Sequence, residues 1–530
     1  MLKFAFKIRK MENIIFKSEA KNELETQLDN KQTCNREEQQ YSPIKVLTVN
    51  EILQIIASKI EVFDYRTSMQ KNMSDINFEI SIFDKKTIGL ETLIEPNETK
   101  TEYKIPQLIV QYKILSAKLI HLVAKKAGYP FFEINNQLYV WSGVYFTRIV
   151  NDGDLRSFFR ECGEKSGIPQ YIINNVDFIS KLNTQFTSIN SCSKQKNKSK
   201  ILINLLNGTL VISDGKYNLR PHNPKDLLTY VLPLCYNPTA RAVKWQNHLA
   251  RVLPDNTAQM ILAEHFAYTF IPTSELKLEK VLVLYGDGAN GKSVCHDIIT
   301  ELLGKDNIAH YSLENLCNAN GYYRSMIENK LLNYCSELSS KMNTDYFKKL
   351  ASGEPVDVRS VYEKPTVITD YAKLVFNCNE LPQNLKTNTA YFRRLSILRF
   401  DVTIPEAEQD KQLAVKIISS ELAGVFNWIL DGLTRLVHQK NFTLCESSAE
   451  QVALYKKESD NVQLFIEDTG FIKDPTEKMP VDDLFILYGK YCKANRYPAH
   501  PKNVFSKRLK ALGFDLQRDS RRSNIFIRQN

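Results

Sequence analysis

The sequence predicts a central α/β unit on a parallel sheet, preceded by a mainly helical region and followed by a small helix-and-wing module. Three observations predict it. The apolar run Val281–Tyr285 passes straight into Gly286-Asp-Gly-Ala-Asn-Gly-Lys-Ser293 and then into a helical pattern. Two later runs, Lys330-Leu-Leu-Asn-Tyr-Cys-Ser-Glu337 and Ala372-Lys-Leu-Val-Phe-Asn-Cys-Asn379, read as further buried strands, each ending in a polar residue. From Asn461 onward, three helical patterns precede an alternating stretch from Phe514 to Ile527.

The chain of 530 residues is long enough for two to four separately cored units. An apolar fraction of 43% with 25% charged residues is ordinary for a globular protein and excludes a wholly disordered or fibrous chain. No membrane span is expected, because the longest apolar runs are strand-length. Met1–Lys10 is basic, with too short an apolar part for a secretion signal. Ten scattered cysteines include no C-x-x-C pair and no Cys/His cluster at zinc spacing, so a reducing cytoplasm fits. The net charge of +10 is compatible with a polyanionic partner.

Along the chain, 1–45 reads as a partly disordered arm rich in Glu, Gln, Asn and Lys, and 46–130 as a small domain of unassigned role. Residues 131–276 read as an α+β and helical region. There Phe131–Arg148 predicts a hairpin turning at Asn135-Asn136, and Trp245, Leu249 and Val252 form a core stripe at helical spacing. Ser193–Lys200 is a lysine-rich loop, more readily explained by solvation than by phosphate contact. The central unit is expected over 277–455 and the last module over 460–530.

Gly286–Ser293 satisfies G-x-x-x-x-G-K-[ST] between a strand and a helix, the context that makes the motif a P-loop. Its glycines let successive N–H groups turn inward, and the following helix aims its positive end at the same anion. The expected nucleotide-binding residues are Gly286, Asp287, Gly288, Ala289, Asn290, Gly291, Lys292, Ser293 and Val294. Lys292 is expected to reach the β/γ-phosphates of ATP, and Ser293 to ligate Mg²⁺. Glu337, about 45 residues on and ending its strand, is the candidate to activate water and support the metal. Asn379, ending the next strand, is preferred over Asn377 as the amide that senses the terminal phosphate. Arg393 and Arg394 precede another strand, and one of them, left open, could serve a neighbouring subunit as an arginine finger.

This order of parts resembles the superfamily 3 helicases, specifically the helicase half of phage, plasmid and large-DNA-virus primase-helicases. The resemblance rests on Gly288–Ser293, the strand ending at Glu337, Phe347-Lys-Lys-Leu-Ala-Ser-Gly-Glu-Pro355, Asn379-Glu-Leu-Pro382 and Phe392-Arg-Arg-Leu395. Leu206-Asn-Gly-Thr-Leu-Val-Ile, Pro221-His-Asn-Pro-Lys-Asp and Trp245 extend it N-terminally, so it covers roughly 130–530. It implies an AAA+-like hexameric motor working 3′ to 5′ in replication, with single-stranded and forked DNA as partners. It also implies a hairpin over Val358–Ile368 that grips one strand, with Lys364 at its tip, Lys348, Lys349 and Arg359 adding charge, and Tyr362 stacking or packing. Ser336 stands where some relatives carry a second acid. Residues 1–130 offer no convincing catalytic aspartate pair, so helicase without primase is expected, with a separate primase or other replication proteins as candidate partners.

The last module suits a winged helix. Over 502–530, eight basic residues face Asp515 and Asp519, a net of +6. Lys502, Arg508, Lys510, Arg521 and Arg522 are its expected DNA contacts. Two rival readings stay open: an initiator or loader whose ATPase only switches conformation, and a protein-remodelling AAA+ ATPase.

Overall fold

The computed structural model describes residues 46–65, 104–134, 137–191, 200–213, 215–336, 338, 342–359, 365–382, 389–495, 497, 499–518 and 523–529. The arm 1–45, most of the lysine-rich loop, and Glu337, Tyr362, Lys364, Arg521 and Arg522 lie outside the described residues. The chain divides into two compact units. The first is Met1–Asn197 with Leu206–Thr209 and Arg220–Val231; the second is Lys198–Leu205, Leu210–Leu219 and Leu232–Asn530.

In the first unit, helices Val49–Ser58, Lys104–Lys126, Asp152–Lys165 and Val176–Ile189 bury one shared core that includes Ile52, Ile56, Tyr112, Phe131, Phe159 and Phe186. That core runs across the domain boundary expected at 130/131. Apolar stripes on both sides of the boundary share this core, and the Tyr65 hydroxyl bridges them through Ser116 at 2.9 Å and Ser166 at 2.8 Å. Strands β1 (Phe131–Ile134), β2 (Gln137–Trp141) and β3 (Phe146–Arg148) form an antiparallel sheet. The register Ile134↔Gln137 leaves two residues for the turn, as the hairpin expectation requires. Strands β4 (Ile201–Leu205), β5 (Gly208–Ser213) and β6 (Lys216–Arg220) form a three-stranded sheet, chiefly in the second unit.

The second unit is built on a five-stranded sheet whose order is β13-β7-β12-β9-β8. Its members are β7 (Val281–Tyr285), β8 (Ile308–Ala309), β9 (Leu332–Cys335), β12 (Lys373–Cys378) and β13 (Leu395–Arg399), and all adjacent pairs run parallel. Val281 to Leu284 are fully buried, as a central parallel strand covered on both faces demands. Outside this sheet, β10 (Val356–Val358) and β11 (Thr366–Ile368) pair antiparallel, which places two strands where a hairpin was expected.

Helix Leu413–Gln439 packs against helices Val243–Val252, Asn256–Tyr268 and Lys292–Leu303. By length and composition the segment Glu406–Gln439, which contains it, is apolar enough to cross a membrane, although Ser, Asn and Asp interrupt its apolar runs. Its sequence shows a packing role. A Cβ on Gly424 would lie 2.3 Å from the Arg241 carbonyl carbon, and one on Gly432 2.7 Å from that of Ala263, so both glycines permit close backbone approach. Buried Glu421 accepts from the backbone N–H groups of Lys244 (2.8 Å) and Trp245 (3.2 Å). It thereby caps helix Val243–Val252, whose own Ala242 has no side-chain oxygen to do so.

The C-terminal segment carries helices Asn461–Asp468, Val481–Ala494 and Lys502–Ala511 with a sheet of order β14-β16-β15. Strands β15 (Leu516–Arg518) and β16 (Ser523–Gln529) pair antiparallel within the stretch where two strands were expected. Strand β14 (Phe471–Pro480) was not legible, because it is polar, contains Pro475, and shifts register between Lys473 and Lys478 where Asp474 accepts from the Thr476 and Glu477 N–H groups.

Two outcomes test this packing. Gly432→Val should cost about 1–3 kcal/mol by overpacking, whereas Gly489→Ala, with open space at its Cβ in a helix, should gain about 0.5–1 kcal/mol; thermal unfolding checks both. His265 stacks on Phe442 at 4.1 Å, and burial, with the Lys280 charge second, pushes its pKa from 6.5 down to about 3. The unfolded chain therefore takes up a proton below pH 6.5 that the folded chain refuses. Stability should fall as pH drops from 6.5 towards 3, by up to about 1.4 kcal/mol per pH unit, and His265→Phe should shrink the loss in melting temperature between pH 7 and pH 5.

Candidate nucleotide site and hairpin face

The register of the sheet gathers the candidate site at one edge. Tyr285 pairs with Cys378 and Arg399, and Cys335 with Phe376, so β7, β9, β12 and β13 finish together. The loop following β7 is tied to its neighbours by backbone: Gly286 N–H donates to Cys378 O (3.2 Å), Phe400 N–H to Tyr285 O (2.7 Å) and Ile404 N–H to Ala289 O (2.9 Å). Asn290, buried, donates its amide to Phe400 O at 3.0 Å. A Cβ on Gly286 would sit 2.4 Å from that same Phe400 oxygen, so the loop can lie this close only as glycine.

Ala289 (φ 57°) and Gly291 (φ 86°) are both left-handed and curl the chain into the start of helix Lys292–Leu303. That helix begins without a side-chain cap and with no acidic residue in its first turn, leaving its first N–H groups for an anion. Lys292 is buried. Its ammonium donates to Gly286 O (2.5 Å), Asp287 O (2.8 Å) and Asn290 Oδ1 (2.9 Å), all neutral oxygens. Burial, opposed by the nearby Cys378 and Asp287, lowers its pKa, and burial raises that of the Cys378 thiol to about 12. A folded loop holding a buried ammonium on neutral acceptors fits a phosphate chain, which would supply the missing negative charge. Ser293 is exposed at the same helix start, where a hydroxyl fits Mg²⁺ bound jointly with phosphate. Among the described residues no group of three or more His, Cys, Asp or Glu could hold a metal alone.

Of the other expected residues, Asn379 is exposed immediately after β12, one residue beyond the Cys378 carbonyl that anchors Gly286. Asn377 is buried inside the strand and accepts from the Tyr334 hydroxyl at 3.1 Å. Arg393 and Arg394 stand at the opposite sheet edge, since Leu395 pairs with Val281, where β7 begins. Among the basic residues, Lys349 and Arg359 are exposed while Lys348 pairs with Asp345 at 3.1 Å. In the C-terminal segment Lys510 is exposed, Lys502 pairs with Asp482, and Arg508 pairs with Asp460 at 2.8 Å.

Sequence reasoning missed the supports of the hairpin base. Arg324, fully buried, donates through Nε to Asp357 O (2.9 Å) and through Nη2 to Asp357 Oδ2 (3.0 Å), while Nη1 reaches the carbonyls of Leu316 and Asn318. Its guanidinium lies 3.9 Å from the Tyr346 ring centroid, and the Tyr346 hydroxyl also bonds Asp357. Beside it, half-exposed Tyr311, Tyr322 and Tyr323 form an edge-to-face and tilted group, and Arg359 N–H reaches Gly321 O at 3.4 Å. The sole sequence signal was Tyr322-Tyr-Arg324 after an Asn/Gly turn. His248 was missed too: its ring would lie 2.7 Å from a Cβ on Gly291, so it backs the loop.

Comparison with known proteins places these parts in context. Residues 284–394 match a profile described as "Family of unknown function (DUF5906)", and residues 131–254 match "D5 N terminal like". The chain is 22% identical over 284 residues to "Putative helicase 184R" of Invertebrate iridescent virus 6, covering 46% of this chain and 28% of that protein. It is 26% identical over 129 residues to "Putative helicase L207/L206" of Acanthamoeba polyphaga mimivirus, covering 23% of this chain and 13% of that protein. The chain therefore spans only a minor part of the length of these relatives. A solved structure, "The A form apo structure of NrS-1 C terminal region-CTR", aligns with a TM-score of 0.44 at 11% identity over 77% of this chain and 98% of that one. The similarity is thus, at low identity, to viral proteins bearing helicase names.

The loop geometry makes one substitution decisive. Gly291→Ala drives a methyl into His248 and strains a left-handed residue, and should weaken binding of a fluorescent ATP analogue about tenfold or more. Gly288→Ala, with nothing within 4 Å of its Cβ, should leave the melting temperature unchanged.

Proposed function

We propose that this chain is an ATP-hydrolysing DNA helicase of superfamily 3 type, an AAA+-like P-loop motor that acts as a ring, expected to be hexameric, during replication of a viral or other mobile element. The observation that carries the reading is the Lys292 cradle. A buried ammonium sits on neutral oxygens at an uncapped helix start, on the sheet edge where Asn379 also emerges. The helicase names of the viral relatives support the same class.

In this reading Gly286–Val294 binds ATP, with Lys292 on the β/γ-phosphates and Ser293 on Mg²⁺. Glu337 orients the attacking water and Asn379 senses the terminal phosphate. When bound, Mg²⁺ offsets charge on the transferred phosphoryl group. The segment joining β10 and β11, with Lys364 and Tyr362, tracks one DNA strand, aided by Lys348, Lys349, Arg359 and the neighbouring tyrosines. Phosphate contact gives charge attraction and the aromatic rings give sequence-tolerant stacking. The C-terminal segment acts as a winged helix on duplex or forked DNA through Lys510, Arg521 and Arg522. Lys502 and Arg508 contribute less, since each already holds a carboxylate of its own chain. Translocation is 3′ to 5′, a cytoplasmic setting is the compartment of choice, and priming falls to another protein.

Strand displacement on a forked duplex tests this directly. Lys292→Ala should abolish both ATPase and unwinding, and Lys364→Ala should abolish unwinding while leaving ATPase. Unwinding by Lys292→Ala would sink the proposal; DNA-dependent ATPase without displacement would favour a switch-type loader, and DNA-indifferent ATPase a protein remodeller.

A further inference from the structure

The short segment Asn379–Pro382 that follows β12 is held at both ends. At the first, the Cys378 carbonyl accepts from Gly286 N–H at 3.2 Å, which joins the strand end to the start of the loop after β7. At the other, the Tyr455 hydroxyl donates to Pro382 O at 2.5 Å. Between these ties Leu381 packs on the core, while Asn379 and Glu380 are exposed. Tyr455 stands on helix Glu446–Glu458 and is 2% exposed, its ring edge-on to Phe392 at 5.4 Å and to Tyr391 at 6.4 Å between centroids. That packing would be served equally by phenylalanine; the hydroxyl is what ties the helix to the segment carrying Asn379. The last turn of the helix is itself anchored, since Lys457 pairs with Glu467 at 2.8 Å, and Asp460 both caps helix Asn461–Asp468 and pairs with Arg508 at 2.8 Å. Burial, with Arg399 opposing and Glu458 assisting, raises the Tyr285 phenol, so the end of the helix also reaches the edge where β7 finishes.

We propose that Tyr455 is a positioning residue for ATP hydrolysis: by holding Pro382 it fixes where Asn379 stands relative to the loop Gly286–Ser293, so that the amide meets the terminal phosphate and the attacking water. Tyr455 touches no reacting atom and acts only through the backbone of Asn379–Pro382. A neutral amide contributes to the transition state only if it is already in place, because a hydrogen bond weakens steeply with misalignment. With the Pro382 tie removed, the exposed residues before it would be fixed at the Cys378 end alone. The grip on the nucleotide belongs to the loop and the helix start, neither of which bonds to Pro382, so affinity is independent of the tie. This inference rests on the ATPase reading of the loop and of Asn379.

Steady-state ATPase assays on the full chain test the role. Activity in the wild type that Lys292→Ala abolishes supports the loop reading alone; its absence would remove that reading and the positioning role with it. Given that activity, Tyr455→Phe, which keeps the ring and removes one hydroxyl, should lower kcat about tenfold with KM unchanged. Asn379→Ala should lower kcat at least as far, and Tyr455→Phe added to Asn379→Ala should bring no further loss, since the hydroxyl acts only through the amide. Val452→Ala trims the same helix where it packs on the same core, and should keep the wild-type kcat when assayed well below its melting temperature. Wild-type kcat in Tyr455→Phe or in Asn379→Ala, independent losses in the double variant, a rise in KM in place of a fall in kcat, or an equal fall in Val452→Ala would each overturn the positioning role while leaving the loop reading intact.

Discussion

The position of β7 between β12 and β13 is the constraint on which the rest of the second unit depends. A central parallel strand has both edges hydrogen-bonded and both faces covered, so it has no freedom to slide. Fixing it fixes where its C-terminal loop emerges. Gly286 is then pinned through Cys378 on one side and, by way of Phe400, through the end of β13 on the other. Lys292 inherits that rigidity, because its three acceptors belong to the pinned loop itself.

A parallel sheet also has two chemically different edges, and this chain uses both. The edge where strands end collects Gly286, Asn379 and Ser336, with the segment leading to Glu337. The edge where they begin collects Glu279, Arg393 and Arg394, with Lys280 donating to the Leu395 carbonyl at 3.1 Å. Lys292 lies on neutral oxygens of its own loop at one edge, while Arg393 and Arg394 share the Glu279 carboxylate at the other.

Helix Leu413–Gln439 supplies the scaffold behind the loop. Its two glycines admit the backbones of neighbouring segments, and Glu421 reaches across to cap the helix that presents His248 to Gly291. The support of the loop thus runs from a buried carboxylate, through one capped helix, to a single imidazole. The hairpin base is held by a second buried cation, Arg324, whose acceptors are backbone carbonyls and Asp357. Both anchors lie outside the motifs: His248 backs Gly291 by packing, and Arg324 holds Asp357 by hydrogen bonds.

The sequence by itself determined whatever is local. Val281–Tyr285 running into Gly286–Ser293 announced a strand, a glycine-rich loop and a helix, and the structure has that strand and that helix at those positions. The turn at 135–136 and the three C-terminal helices were equally plain, being set by alternation and helical spacing. What only the tertiary structure decided is pairing over distance. The sheet order, the core shared across residue 130, the polar strand β14, and the burial of Arg394 beside the exposure of Arg393 each depend on which distant surface covers a residue. Two identical neighbouring side chains carry no mark in the sequence of which one will be spent in the core; Ser352 and Ala390 make that choice, and they converge only when the chain has folded.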